Sequence, residues 1–276
     1  MRRSRSSILW GLILVSAIAV VALLAPWIAP NPNRVDLDSV LSPPSTAHWL
    51  GTDGLGRDVG ARLVHGARIS LLIGLATGVL SVLIGLPIGG LAGYAGGSVD
   101  AVLSRVIEAT LCFPSLVITI ALLSIGPPWL LTLPETARIA LALSVVGWTP
   151  AARYLRGEFR RLRGSESIVS ARAAGASHAR IVCRHLLPQS LGPVLVTLAF
   201  AVSGAALAEA ALSFIGVGIS PPAASWGELL FQAMHHVGQA WWLALFPGAA
   251  LFVLLLGCNE LAEGVRTRLD PRRGAA

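Results

Sequence analysis

The sequence predicts an all-α, polytopic integral membrane protein with about six transmembrane helices, and three observations predict it. Of 276 residues, 54% are apolar and 13% charged, against about a quarter charged in an ordinary soluble domain. Mean hydropathy is +0.72. Charge-poor windows recur along the chain, each near the roughly 20 residues that cross a hydrocarbon core of about 30 Å. The same composition excludes a disordered chain.

The windows are residues 8–29, 69–91, 101–125, 136–152, 186–214 and 240–261. The first follows Arg2, Arg3 and Arg5, but no small-x-small cleavage site closes it, so it is read as a retained span rather than a secretory signal. The fourth is short and carries Arg138 near its start. Orientation follows from arginine, because short positively charged loops stay in the cytoplasm. Fifteen of the 21 arginines precede the first window, lie between Arg153 and Arg184, or follow the last window as Arg266, Arg268, Arg272 and Arg273. Even numbers of spans separate these three regions, so both termini and the Arg153 to Arg184 loop are expected to be cytoplasmic. Residues 31–66, 126–135 and 215–239 then form external loops rich in Pro, Gly, Ser and Trp. Trp27, Trp226, Trp241 and Trp242 fall near span ends, where an indole keeps its ring in lipid and its N–H in water. Gly74, Gly78, Gly85, Gly89, Gly90 and Gly93 give the second span faces of small residues suited to close helix packing. The chain reads as one transmembrane domain over 1–276. Residues 1–68 carry the first span and an external loop, and 69–276 form a five-span core with a cytoplasmic loop at 153–188.

The formal charge of +7 is carried by arginine alone. Its clustering beside apolar runs points to lipid and membrane orientation rather than nucleic acid. Without a lysine the chain has no Walker A loop, which needs Gly-x-x-x-x-Gly-Lys to hold the terminal phosphates of ATP. Cys112, Cys183 and Cys258 are scattered and predict no disulfide framework. His235 and His236, with Glu228 nearby, lack His-Glu-x-x-His spacing, so no metal site is expected. Ser170, Ser177 and His178 lack a Gly-x-Ser-x-Gly elbow, so no catalytic residue is expected either.

The cytoplasmic loop is the most informative segment. Ser165 and Glu166 can start a short helix, Ala171, Ala173 and Ala174 favour it, and Gly175 can end or bend it. Such a helix is a knob for a groove on a partner. The run Val169, Ser170, Ala171, Arg172, Ala173, Ala174, Gly175, Ala176, Ser177, followed by Arg184, His185, Leu187 and Pro188, resembles the EAA loop of bacterial ABC importer permeases. Val169 stands where that pattern has Glu, and Ser170 where it has the first Ala. The resemblance implies a coupling helix at 169–177 that docks on an ATPase subunit, supported by Arg184, His185, Leu187 and Pro188.

Four further stretches narrow the resemblance to the second permease of dipeptide, oligopeptide and nickel importers. They are His48 to Asp58 (HWLGTDGLGRD), Ala92 to Gly97 (AGYAGG), Glu209 to Gly218 (EAALSFIGVG) with Pro221-Pro222 and Ser225-Trp226-Gly227, and Leu269 to Arg272 (LDPR). This resemblance implies the type I ABC importer permease fold and a non-catalytic subunit of the bacterial cytoplasmic membrane. It implies a paralogous permease, two ABC ATPases and an extracytoplasmic substrate-binding protein as partners. The chain itself would hold no cofactor, ATP and Mg being bound by the ATPases. Peptides are the expected cargo, with nickel or another small solute as the alternative; a stand-alone membrane enzyme or channel is the more distant one. Glu209 and Glu108, acidic residues within apolar runs, are candidates either for the pathway or for structural pairing, Glu108 with Arg105 or Arg138. Asp53, Arg57 and Asp58 either make local turn contacts or meet the binding protein.

Overall fold

A computed structural model describes residues 2–29 and 31–269, and among these it is nearly all helix. The long elements are α1 (Arg2–Ile28), α2 (Val59–Ala95), α3 (Gly97–Leu111) and α4 (Ser115–Ile125). After a short α5 (Pro128–Leu131) comes α6 (Glu135–Leu162). The loop beyond it holds α7 (Glu166–Ala173), α8 (His178–Ile181), a π turn (Val182–Leu186) and α9 (Leu187–Gln189). Then follow α10 (Leu191–Phe214), α11 (Trp226–Met234) and α12 (Trp242–Leu269). The final expected motif, at Asp270, Pro271 and Arg272, lies outside the described residues.

Four helices, α1, α2, α10 and α12, are long and apolar enough to cross a membrane, and α3 with α4 makes a fifth, bent pair. The single third span expected at 101–125 is therefore broken, its halves meeting at 77° across Cys112, Phe113 and Pro114. Proline explains the break: its ring disfavours helical backbone at the preceding residue, and Pro114 itself is non-helical (ψ 122°) at the start of α4. The expected fourth span lies inside α6, whose 28 residues extend about 42 Å at 1.5 Å per residue. Arg153, Arg156, Arg160 and Arg161 make its second half polar. Its buried face, including Ile139, Ala142, Val146, Ala152, Leu155 and Phe159, belongs to the most extensive helix pairing in the fold, that with α2.

α2 is the central element. It begins at Val59 rather than beyond residue 66, because Asp58 caps it by accepting a 2.7 Å hydrogen bond from the Ala61 N–H. The eight residues 59–66, expected to be loop, are thus helical, and the division expected at 68/69 falls inside one helix. Its glycines serve two faces. Gly74 and Gly78 lie against Val202 of α10, while Gly85, Gly89 and Gly93 lie against the backbone of α6 at Trp148, Ala152 and Arg156. With no water to drive helices together in lipid, this backbone approach supplies the packing. α1 runs antiparallel to α12, with Gly11 beside Leu261, Gly257 beside Val15 and Gly264 beside Ile8. The start of α1 and the end of α12 therefore lie at the same end of the bundle.

The segments expected on the external side converge at the other end. Ser220 N–H donates to Glu135 at 3.1 Å, Arg57 reaches Gln232 at 3.0 Å, and the Trp242 indole donates to the Thr52 carbonyl at 3.1 Å.

At Gly89 a β-carbon would overlap the Ala152 carbonyl. Gly89→Leu is expected to destabilise the protein by about 3 kcal/mol or more, since even ordinary overpacking costs about 1–3. Gly157→Ala, where an added β-carbon meets nothing within 4 Å, should be neutral or stabilising by up to about 1 kcal/mol. Thermal unfolding in detergent checks both.

Candidate functional site

Three features beyond the packing of the spans could carry function: the loop after α6, a buried polar network at the opposite end of the bundle, and a cavity between them.

In the loop, α7 is anchored by one side chain. Ile168 is fully buried with Phe159, Leu162, Ile181 and Leu186, and Tyr94, Ala171, Ala176 and Leu187 pack around that cluster. The rest of the expected knob faces outward: Val169, Ser170, Arg172, Ala173, Ala174, Gly175 and Ser177 are exposed. The start falls at Glu166 as expected, but the Ser165 hydroxyl lies 3.2 Å from that of Ser167 instead of capping the helix. At the far end Gly175 adopts φ +77°, its N–H bonds to the Arg172 carbonyl and the Ala176 N–H to the Ala171 carbonyl, both at 3.0 Å. This Schellman closure leaves glycine at the left-handed position. Ser177 caps the next helix by accepting from the Arg180 N–H at 3.3 Å. Arg184 and His185 lie in the π turn just before Leu187 and Pro188. A widened turn there accommodates a proline, which has no N–H to donate and crowds the carbonyl of the preceding turn.

At the end opposite that loop Glu209 is fully buried. Its Oε1 accepts from the hydroxyls of Ser213 at 2.8 Å and Ser225 at 2.7 Å, and its Oε2 from Ser70 at 3.2 Å. Each hydroxyl in turn accepts a backbone N–H from the segment after α10: Ser213 from Ile219, Ser70 from Trp226 and Ser225 from Glu228, all at 3.1 Å. The carboxyl group is thus a hub that fastens α11 and the preceding loop onto α2 and α10.

A second cluster adjoins it. Asp53 accepts the backbone N–H groups of Leu55 and Arg57 at 2.9 Å each and the Arg57 guanidinium at 2.7 Å, closing the glycine-rich turn. Arg62, with no exposed surface, donates to Glu228 at 2.9 Å and lies 3.6 Å from Asp53. Burial pushes the Glu228 carboxyl up from its ordinary value, and the Arg62 guanidinium opposes that rise. Asp53 and Arg57 are only 1% and 6% exposed. Of the three residues considered for an external contact, these two build the turn. Asp58 is partly exposed, capping α2 and bonding His48 Nδ1 at 2.8 Å. The outward surface of this loop is instead Trp49 and Leu55. Glu228, considered beside the histidines, turns to Arg62 and Gln232, while His235 stands edge-on to Phe231.

Glu108 is exposed and pairs with Arg105 at 3.0 Å on the surface of α3, not with Arg138. Sequence reasoning missed Arg62 and Ser70. Ser213 is four residues after Glu209 and so was legible as a helical neighbour, but nothing local announces a partner 139 or 166 residues away.

Between the ends lies a cavity of about 640 Å³ walled by α2, α4, α6 and α10, with Arg266 contributed by α12. Its polar groups are chiefly hydroxyls, those of Thr77, Ser81, Thr119, Thr149 and Thr197, set among Leu, Val and Ala side chains. The Ser81 Oγ is buried without a hydrogen-bond partner among the described residues. Gly204 lines the cavity and has open space where a side chain would stand.

Residues 85–274 match the model of a family described as binding-protein-dependent transport system inner membrane component. Among curated relatives, the dipeptide transport system permease protein DppC of Bacillus subtilis is 36% identical over 264 residues, 95% of this chain and 81% of that one. The oligopeptide transport system permease protein OppC of the same organism is 34% identical over 98% of this chain and 87% of its own. The di/tripeptide permease DppC of Pseudomonas aeruginosa is 34% identical over 96% and 88%. Among solved structures, a chain of the MetNI methionine ABC transporter in an inward-facing conformation superposes with a TM-score of 0.63 at 18% identity, covering 75% of this chain and 95% of that one; at that identity the likeness is one of fold.

Removing the Glu228 carboxylate strands a buried guanidinium. Glu228→Leu is expected to cost about 3–5 kcal/mol, whereas the double replacement with Arg62→Leu should recover much of it. Unfolding of the single and double variants in detergent provides the comparison.

Proposed function

Because the chain belongs to the family of binding-protein-dependent transport system inner membrane components, we propose that it is the second permease subunit of an ATP-driven importer of di- and oligopeptides. It is a multi-pass membrane protein, and in this reading its termini and the loop carrying α7 face the cytoplasm. A paralogous permease completes the pathway, two ABC ATPases bind ATP and Mg and dock on α7, and an extracytoplasmic binding protein delivers the substrate. The chain itself does no covalent chemistry.

The observation that carries this reading is α7: a short helix with an outward face of small residues, seated rigidly through Ile168 at the ends of the long helices. A side chain that enters a partner's groove needs such a fixed base, because a floppy loop would absorb the movement instead of passing it on. Closure of the ATPases would then travel as a rigid-body displacement of α7 into the bundle and switch access from one side to the other. Peptides as cargo rest on the relatives, which match along nearly the whole chain and are named for peptide transport. The cavity suits such a cargo. Its size falls in the range of small-molecule sites, its hydroxyls can meet peptide amides and its apolar wall can meet side chains.

Val169 is exposed on α7 and touches none of the buried cluster. Val169→Arg should leave the subunit inserted and folded while cutting peptide uptake at least about tenfold, the scale of a disrupted interface hot spot. Wild-type uptake by this variant would refute docking at α7. Gly204→Trp, at a position where an added β-carbon meets nothing within 4 Å, puts an indole at the cavity wall. It should abolish most uptake in proteoliposomes while the ATPases still co-purify with the chain, and undiminished uptake would place the pathway elsewhere.

A further inference from the structure

The turn that ends α2 is fastened to the cytoplasmic loop on both sides of α7. Ahead of α7, the Arg163 guanidinium donates to the Tyr94 carbonyl at 3.3 Å. Behind it, His178 Nδ1 lies 2.7 Å from the Tyr94 hydroxyl, and the two rings meet edge-on with centroids 5.7 Å apart at 74°. One residue thus receives a hydrogen bond through its backbone and shares another through its side chain, with segments that flank the docking helix at either end.

The local backbone is built for this. Gly96 has φ +70°, and its missing β-carbon leaves room for the Arg163 guanidinium; Gly97 follows at φ +55°. α2 therefore stops right after Tyr94, which holds the phenol at the helix end instead of burying it in a continued turn. Above this point α2 is one helix of 37 residues. It contributes Thr77 and Ser81 to the cavity wall and carries Ser70 and Arg62 into the external network.

We propose that Tyr94 is the positioning residue that converts displacement of α7 into displacement of α2, through its paired attachments to Arg163 and His178. The proposal rests on the importer reading given above. Ile168 seats α7 against the bundle through apolar contact, which is non-directional. The directional bonds at Tyr94 fix how α7 is oriented on α2, so a push on α7 has to move the helix that lines the pathway.

The test uses the assembled importer in proteoliposomes, with its ATPases, second permease and binding protein, and reads peptide transported per ATP hydrolysed. Tyr94→Phe keeps the ring and removes the hydroxyl. It is expected to lower that ratio about fivefold, the scale of one lost hydrogen bond, with the complex recovered in normal amount. His178→Leu should do the same, while His178→Gln, whose amide can still pair with the hydroxyl, should restore the ratio towards wild type. A purely structural role would instead lower transport and hydrolysis together, in proportion to the complex recovered. That result, or an unchanged ratio in Tyr94→Phe, overturns the proposal. Should Tyr94→Phe fail to accumulate, the two His178 variants decide in the same way. A wild-type assembly that transports nothing would overturn the importer reading itself, which separates the two failures.

Discussion

The absence of side-chain bulk along two faces of α2 is the constraint on which the remaining architecture depends. Lipid offers no solvent from which apolar helices gain by escaping, so cohesion comes from the close fit of surfaces. Gly85, Gly89 and Gly93 admit the α6 backbone, while Gly74 and Gly78 admit α10. With α6 and α10 held on either side, α4 closes the gap and the cavity remains as the space the three cannot fill. Even the polarity of α6 follows: a helix laid so tightly on α2 needs less lipid-compatible surface, which lets it carry Arg153 to Arg161 towards the loop.

Most of the charged groups lie towards the ends of the bundle, where several are paired. At the end that carries α11, Glu209 gathers three hydroxyls, each of which satisfies a backbone N–H of the loop before α11 or of its first turn. Arg62 and Glu228 join α2 to α11 through buried charge. Such a pair gains little net stability over apolar residues, but it penalises every other seating of α11. At the opposite end Tyr94 and Arg163 do comparable work with weaker, more exposed bonds.

Much of this was legible in the sequence, and the reason is the membrane. Hydrocarbon thickness dictates span length and arginine dictates sides, so the placement of α1, α2, α10 and α12 follows from local composition. The start of α2 was misplaced because Gly60, Arg62 and Gly66 read as loop; only the Asp58 cap and the distant Glu228 make that stretch helical. The break at Pro114 was missed for a related reason, since hydropathy records apolarity and not direction. In the loop, Gly175 and the alanines announced α7 because helix propensity and C-capping act over a few residues. Asp53 and Arg57 invited an external role because charged side chains in a loop are usually solvated, and here they face each other. The clasp at Tyr94 had a visible motif but no visible partner: His178 is 84 residues away.

The pairing of α1 with α12 has a consequence for how the molecule is made. These are the first and last of the described helices, and their interlocking glycines bring residues near 11 and 257 together. At roughly 5–20 residues per second of synthesis, on the order of ten to fifty seconds separate their emergence from the ribosome. During that interval α2 is the helix available for α1 to pack on. α12 thus completes a pairing that α1 begins. Until α12 is made, the face of α1 that carries Gly11 has no α12 to meet.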